Sequence, residues 1–200
     1  MIKQLISSAF FATVMASSSH LIAVNPQPYT NVRNLSYVPY FLENAYLLSN
    51  AINTTSGSVF IDVGSQDGAA ARWVAQNYAN VTNYAVNAWW SCDSSQKNLF
   101  QKFLSNVIQE NTANIIVPIR MSSTEGAKAL SIVADVIYLE SSSQNLSADI
   151  LCWFNHLSTN GILCGNDWSD PFVEASVSQA AIKLGYQVNS NGDFWSIQKN

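Results

Sequence analysis

The stretch SVFIDVGSQDGAAARWVAQ, residues 58–76, decides the fold class of this chain. Its apolar, β-branched start predicts a buried strand, and its alanine-rich end predicts a helix. Gly64 and Gly68 lie between them, where glycine allows the backbone to approach a ligand at the N-terminus of the helix. The turn has neither the glycine pattern of dinucleotide sites nor the Gly-Lys-Ser/Thr of phosphate loops. Asp62 at the strand end would repel a pyrophosphate and favours a cationic cofactor. The alternative is a turn in which an acid caps the helix and no ligand binds.

The rest of the chain continues this alternation of strands and helices, which indicates parallel βαβ units. Strands are predicted at residues 58–63, 83–86, 114–119, 135–139 and 161–164, and helices at 38–49, 69–78, 95–109, 123–130, 147–156 and 171–184. Residues 186–189 and 194–198 flank a turn and predict an antiparallel hairpin. The predicted fold is therefore α/β and Rossmann-like, with a mostly parallel seven-stranded sheet, an antiparallel C-terminal hairpin and helices on both faces.

The N-terminal twenty residues, MIKQLISSAFFATVMASSSH, have Lys3 before an apolar run and small residues after it. This layout predicts a signal peptide over residues 1–19 and hence an exported, periplasmic or secreted protein. An amphipathic helix that packs on the domain is the alternative. Residues 20–57 are predicted to form a connector and an N-terminal helix, and residues 58–200 the main domain. No apolar run reaches the roughly 20 residues that span a bilayer, so no membrane span is expected.

Composition limits the partners of this chain. Its formal net charge of −4 and its 9 Lys plus Arg residues remove the electrostatic attraction on which nucleic-acid binding depends, so no nucleic-acid partner is expected. Cys92, Cys152 and Cys164 show no metal-binding spacing. They are interpreted as free thiols, although export would permit one disulfide.

Five segments in order resemble the class I S-adenosylmethionine-dependent methyltransferases, in particular the small bacterial O-methyltransferases. They are DVGSQDGAAARW from Asp62, AVNAWW from Ala85, SSTEGAKAL from Ser122, the long block DVIYLESSSQNLSADILCWFNHLSTNGILCGNDW from Asp135, and GDFWSIQK from Gly192. The resemblance covers residues 59–199. It implies the methyltransferase fold, S-adenosylmethionine as cofactor and a small-molecule acceptor.

The resemblance also assigns roles to individual residues. The cofactor set is Asp62, Gly64, Ser65 and Gly68 at its amino-acid end, Asn87 where the family has a ribose-binding acid, and Ser123 with Glu125 beside the adenine. A helix start, with serine as cap and glutamate in the first turn, is the alternative for the last two residues. Glu140 and Asp167 are implied at the acceptor as catalytic residues. Glu140, Asn166 and Asp167 would be the ligands of a divalent metal ion, and Ser143 stands where relatives have histidine.

Two hypotheses for the function follow. The first is methyl transfer to an oxygen of a small molecule. The second is an exported protein that keeps the fold as a non-catalytic binding or interaction module; the replacements at Asn87, Ser143 and Asn166 and the predicted export favour it. Three tryptophans after strand ends, Trp89, Trp90 and Trp168, either line a substrate pocket or pack beneath loops.

Overall fold

The computed structural model describes residues 28–32, 35–37, 39, 42–89, 98–140 and 145–200. The predicted signal peptide, Trp90, Cys92 and Ser143 lie outside these residues. None of the helices within the described ranges is long and apolar enough to cross a membrane.

A seven-stranded sheet forms the centre of the protein, in the order β3-β2-β1-β4-β5-β7-β6. Its strands are β1 Val59–Val63, β2 Thr82–Asn87, β3 Ile116–Arg120, β4 Ala134–Leu139, β5 Leu157–Gly165, β6 Asn189–Asn191 and β7 Phe194–Gln198. β1 to β5 pair in parallel, while β7 runs antiparallel to both β5 and β6. The predicted Rossmann-like sheet with its C-terminal hairpin is confirmed.

Within the described ranges, six α-helices cover both faces of this sheet. They are α1 Ala45–Thr55, α2 Ala69–Asn77, α3 Leu99–Gln109, α4 Ser123–Ala129, α5 Leu146–Trp153 and α6 Pro171–Leu184. Apolar residues of α1 and α2 pack with Phe60, Val136 and Ile162 on one face. Residues of α5 and α6 pack with Ile61 and Ile137 on the other. Successive strand residues point to opposite faces, so Phe60 and Ile61 of β1 contribute to opposite sides of the core.

The first predicted helix was placed wrongly. The sequence pattern predicted residues 38–49, but α1 begins at Ala45 and continues to Thr55. Asn44 has a left-handed backbone with φ of 57°, which an α-helix cannot contain in its interior. Leu48, Ala51 and Ile52 then bury the apolar side of the helix.

The first strand of the hairpin also lies later than residues 186–189. Gly185 ends α6 in a left-handed conformation, and the Tyr186 N–H still donates to the Ala181 carbonyl of that helix. Tyr186 therefore belongs to the C-terminal cap of α6, and strand β6 begins only at Asn189.

Candidate functional site

The candidate site lies at the carboxyl ends of β1 and β4. The chain proceeds outward from β1 through β2 to β3 and then returns to β4 on the other side of β1, so strand order reverses between these two strands. Such a reversal opens a crevice at the carboxyl ends of the strands, where open α/β sheets bind ligands. The Glu140 N–H donates to the Val63 carbonyl at 2.9 Å, which holds the end of β4 beside the glycine turn.

Asp62 is the buried acid of this turn, with 1% of its surface exposed. Its Oδ2 accepts hydrogen bonds from the Ser65 hydroxyl at 2.7 Å and from the Ala71 N–H in the first turn of α2 at 3.1 Å. Within the described residues, its Oδ1 is buried and accepts no hydrogen bond. Burial raises the pKa of Asp62 to about 6, although the two hydrogen bonds act against this rise. Asp62 therefore caps α2 with one oxygen and leaves the other without a partner.

Gly64 and Gly68 are required by local packing. Both have left-handed backbones, with φ of 84° and 90°. A Cβ on Gly64 would lie 2.8 Å from the Cβ of Glu140, and one on Gly68 would lie 2.8 Å from the ring of Phe103. The turn thus needs glycine to fit against β4 and α3, whether or not a ligand is bound.

A cavity of about 280 Å³ brings together the three residues predicted at the acceptor and metal positions. Glu140, Asn166 and Asp167 line it with Leu42, Glu43, Ala69 and Tyr138. The sequence did not reveal Glu43, which precedes α1 and belongs to no motif. Tyr138 lies on β4, and Glu140 directly follows that strand. Because strand residues two apart lie on the same face, the alternating pattern of the sequence indicated that Tyr138 accompanies Glu140.

The cavity is strongly acidic. Burial is the main reason that the pKa of Glu140 rises to about 7, and the nearby charges of Asp62, Asp167 and Asp67 raise it further. Within the described residues, no donor reaches the Glu140 carboxylate. At neutral pH this side chain is therefore divided between its protonated and ionised forms.

The structure does not support the predicted divalent metal ion. The described residues contain no group of three or more His, Cys, Asp or Glu side chains arranged to hold a metal. Asn166 turns instead toward the segment before α1, where its Oδ1 accepts from Asn44 Nδ2 at 3.4 Å and its Nδ2 donates to the Glu43 carbonyl at 3.5 Å. A hard cation prefers several charged oxygen ligands, which this set does not assemble.

Asn87, the predicted ribose-binding residue, lies at the end of β2 and bonds to its own loop. Its Oδ1 accepts the Trp89 N–H at 2.9 Å. Trp89 has a left-handed backbone with φ of 47° and packs against the rings of Phe100 and Phe103. Its indole N–H donates to the Gln66 carbonyl in the glycine turn at 2.6 Å. Trp89 therefore packs beneath a loop and links the second strand end to the glycine turn.

Ser123, predicted beside the adenine, forms the first turn of α4. Ser122 is the cap of this helix, and together with Glu125 it makes a reciprocal capping box. The Ser123 hydroxyl accepts the indole N–H of Trp153 at 2.9 Å. The helix-start alternative describes this segment, with the cap one residue earlier than expected.

Within the described residues, Cys152 and Cys164 are free thiols. Cys164 on β5 is buried, which raises its pKa, while Cys152 on α5 is half-buried. Trp168 is partly buried and packs against the core cluster that includes residues of α5 and α6. Neither cysteine lines the acidic cavity.

Solved structures of the same topology identify the fold. A candidate caffeoyl-CoA O-methyltransferase from Staphylococcus aureus matches with a TM-score of 0.66 and 13% identity, over 80% of this chain and 86% of its own. The precorrin-6Y C5,15-methyltransferase of Geobacter metallireducens gives 0.62 and 12%, over 82% and 94%. A SAM-dependent O-methyltransferase of Thermotoga maritima gives 0.62 and 10%, over 81% and 67%. The chain has the class I methyltransferase fold.

The similarity to these methyltransferases is one of structure. No protein-family model matches the sequence, and no curated protein matches it either. Within the class I methyltransferase fold, the glycine turn and the acidic cavity occupy neighbouring strand ends at the reversal of strand order. This similarity identifies the fold, whereas the chemistry of the chain depends on its own side chains.

Proposed function

We propose that this protein binds S-adenosylmethionine at the turn from Asp62 to Gly68 and transfers its methyl group to an oxygen of a small molecule. The observation that carries the proposal is the unpartnered Oδ1 of Asp62. A buried carboxylate oxygen without a donor costs free energy, and a cationic ligand beside it would recover that cost. The cofactor bears an ammonium and a sulfonium, so its charge fits an acidic site.

The residues around the turn have different roles in cofactor binding. The side chain of Ser65 and the N-terminus of α2 fix the Asp62 carboxylate through its Oδ2. The Asn87 Oδ1 accepts the Trp89 N–H, so a ribose hydroxyl would be bound through the Nδ2 donors of this amide or through the second lone pair of Oδ1. The bound cofactor would supply an electrophilic methyl group.

Glu140 is proposed to act as the general base that accepts the hydroxyl proton of the methyl acceptor. Its pKa of about 7 lets the ionised form accept a hydroxyl proton as the acceptor oxygen becomes a nucleophile. Asp167 lines the same cavity and would orient the acceptor. In this reaction the protein mainly positions two bound reactants, for which few side chains suffice.

A second candidate function is an exported, non-catalytic module built on the same fold. Two hydrogen bonds donated by Trp89 favour it. They occupy the side-chain oxygen of Asn87 and the backbone carbonyl of Gln66, two acceptors beside the proposed cofactor site. The predicted signal peptide also favours it, since the cofactor is a cytoplasmic metabolite. Mass analysis of the mature protein tests export: a product that retains Met1 contradicts it.

Calorimetric titration with S-adenosylmethionine and S-adenosylhomocysteine tests the first proposal. We expect binding in the micromolar range by the wild type and at least a tenfold loss in Asp62→Asn. Asp135→Asn, at the opposite ends of β1 and β4, where the carboxylate accepts the N–H groups of Ser58 and Val59, is the matched control and should bind as the wild type does. Asn87→Asp should bind more tightly, because a carboxylate accepts stronger hydrogen bonds.

The titration also separates the two candidate functions. No heat with either ligand at high micromolar concentration would refute the enzyme proposal and leave the non-catalytic module. If binding is observed, release of S-adenosylhomocysteine in the presence of small phenols and catechols measures methyl transfer. Glu140→Gln should then lose most of the turnover while keeping its affinity for the cofactor.

A further inference from the structure

A second cavity, of about 260 Å³, lies away from the acidic site, between α1 and the C-terminal hairpin. The register of the sheet explains its shape. Ser196 of β7 pairs with both Cys164 of β5 and Asn189 of β6, so these residues stand on the same face of the sheet. α1 packs over this face at β4 and β5 and does not extend across β7 and β6, which leaves a cleft beside the helix.

The polar side chains that line this cleft are all neutral. On the helix side they are Asn50 and Thr54, one turn apart. On the hairpin side, Asn189, Asn191 and Ser196 belong to the same lining. None of the residues that line the cleft is ionisable. This composition contrasts with the acidic cavity at the ends of β1 and β4.

The polar groups of the cleft are available to a ligand. Within the described part of the chain, the side chains of Asn50, Asn189 and Asn191 make no hydrogen bond to protein groups, and all three are exposed. An amide offers two N–H donors and a carbonyl acceptor, so three amides around one cleft can satisfy several groups that both donate and accept. Beneath them, the apolar side chains of Ile162 and Phe194 form the floor.

We propose that this cleft binds a neutral saccharide, about one sugar ring in size. Sugar hydroxyls both donate and accept, which matches the amides and hydroxyls of the walls, and the C–H face of the ring suits the apolar floor. A charged ligand would lose hydration without gaining an opposite charge, so the cleft disfavours it. The volume is slightly below the roughly 300–1,000 Å³ of typical small-molecule pockets, which fits a single ring.

Saturation-transfer NMR with the methyl glycosides of glucose, galactose, mannose and N-acetylglucosamine tests this proposal. We expect transfer to at least one glycoside at millimolar concentration, and much weaker transfer to the charged analogues glucosamine and glucuronate. The double variant Asn50→Ala/Asn191→Ala should reduce the signal at least fivefold. The matched control is Asn53→Ala, an exposed amide on α1 that does not line the cleft, and it should leave the signal unchanged.

Three outcomes would overturn the proposal. The first is no transfer to any of the four glycosides at tens of millimolar, which would make the cleft merely a solvated sheet face. The second is an equal signal in the double variant and in Asn53→Ala. The third is loss of the signal in Glu140→Gln, because the sugar would then occupy the acidic cavity instead. Circular dichroism and the unfolding midpoint of each variant establish that it is folded.

Discussion

Replacing Glu140 with glutamine tests the electrostatics of the candidate site through the stability of the protein. The wild-type side chain is largely buried, accepts no hydrogen bond within the described residues and lies near the charges of Asp62, Asp167 and Asp67. Each of these conditions opposes its ionised form. Glutamine has nearly the same shape and carries no charge. We therefore expect Glu140→Gln to raise the free energy of unfolding at neutral pH.

The size of the effect follows from the pKa of Glu140. Its pKa rises from 4.5 to about 7 on folding. At about 1.4 kcal/mol for each tenfold change in proton affinity, the ionised form costs about 3 kcal/mol in the folded state. The glutamine amide must still be desolvated, so the expected gain at pH 8 is about 1 to 3 kcal/mol.

The sign of the pH dependence is fixed by the same pKa. Below pH 4.5 the carboxyl is protonated in both the folded and the unfolded chain, so it contributes no penalty. Between pH 4.5 and about 7 the unfolded chain releases this proton while the folded chain retains it, so the contribution to stability falls as pH rises. Above that range the penalty is constant. The gain from Glu140→Gln should therefore be small at pH 4.5 and largest at pH 8.

Urea unfolding of both proteins at several pH values between 4.5 and 8 measures this difference. Asp135→Asn is the matched control with the opposite sign. Partial burial acts to raise the pKa of Asp135, but hydrogen bonds from Ser58, Ser158 and Val59 together lower it. The ionised Asp135 carboxylate therefore stabilises the folded protein at pH values above its unfolded pKa of 3.8, and this contribution is lost as the pH falls below that value. Asp135→Asn should therefore destabilise the protein by nearly the same amount at pH 8 and at pH 4.5, and the loss should shrink only below pH 3.8.

One result would refute this reasoning about Glu140. A Glu140→Gln protein that is less stable than the wild type at pH 8, by an amount that does not change at pH 4.5, would mean that the carboxylate makes a stabilising contact. Asp62→Asn gives an independent check, because removing its charge should lower the pKa of Glu140. An NMR titration of the Glu140 carboxyl carbon measures that value directly.

Three further changes test other contacts by chemical unfolding. Gly68→Ala should cost several kcal/mol of stability, because its Cβ would collide with the ring of Phe103. Gly185 has a similar φ of 78° but no atom within 4 Å of the position that a Cβ would take, so Gly185→Ala should cost only about 1 kcal/mol. Equal losses in the two variants would contradict the packing argument. Glu110→Gln should cost about 3 to 5 kcal/mol of stability, because it removes the carboxylate that is paired with the buried guanidinium of Arg72. A loss below about 1 kcal/mol would show that the ion pair is well solvated. Ser122→Ala should cost about 1 kcal/mol through loss of the α4 cap, and an unchanged midpoint would contradict the capping box.

The order of elements was readable from the sequence because it depends on short-range patterns. Apolar runs and helical spacing are local properties, and they predicted all five parallel strands and the hairpin. Helix α1 was missed by several residues because its start depends on the left-handed backbone of Asn44. That conformation arises where the segment before α1 meets the loop after β5, a contact between residues more than a hundred positions apart.

The sequence by itself determined the turn from Asp62 to Gly68, since the acid, the two glycines and the alanine-rich helix stand in one continuous stretch. Tertiary structure alone decided the surroundings of that turn. It brought Glu140, Asn166 and Asp167 into one cavity with Glu43, and it placed Trp89 against Asn87 and Gln66. It also gave packing reasons for both glycines. Burial, charge density and hydrogen-bond competition are set by residues distant in sequence, so these properties of the site emerge only when the chain is folded.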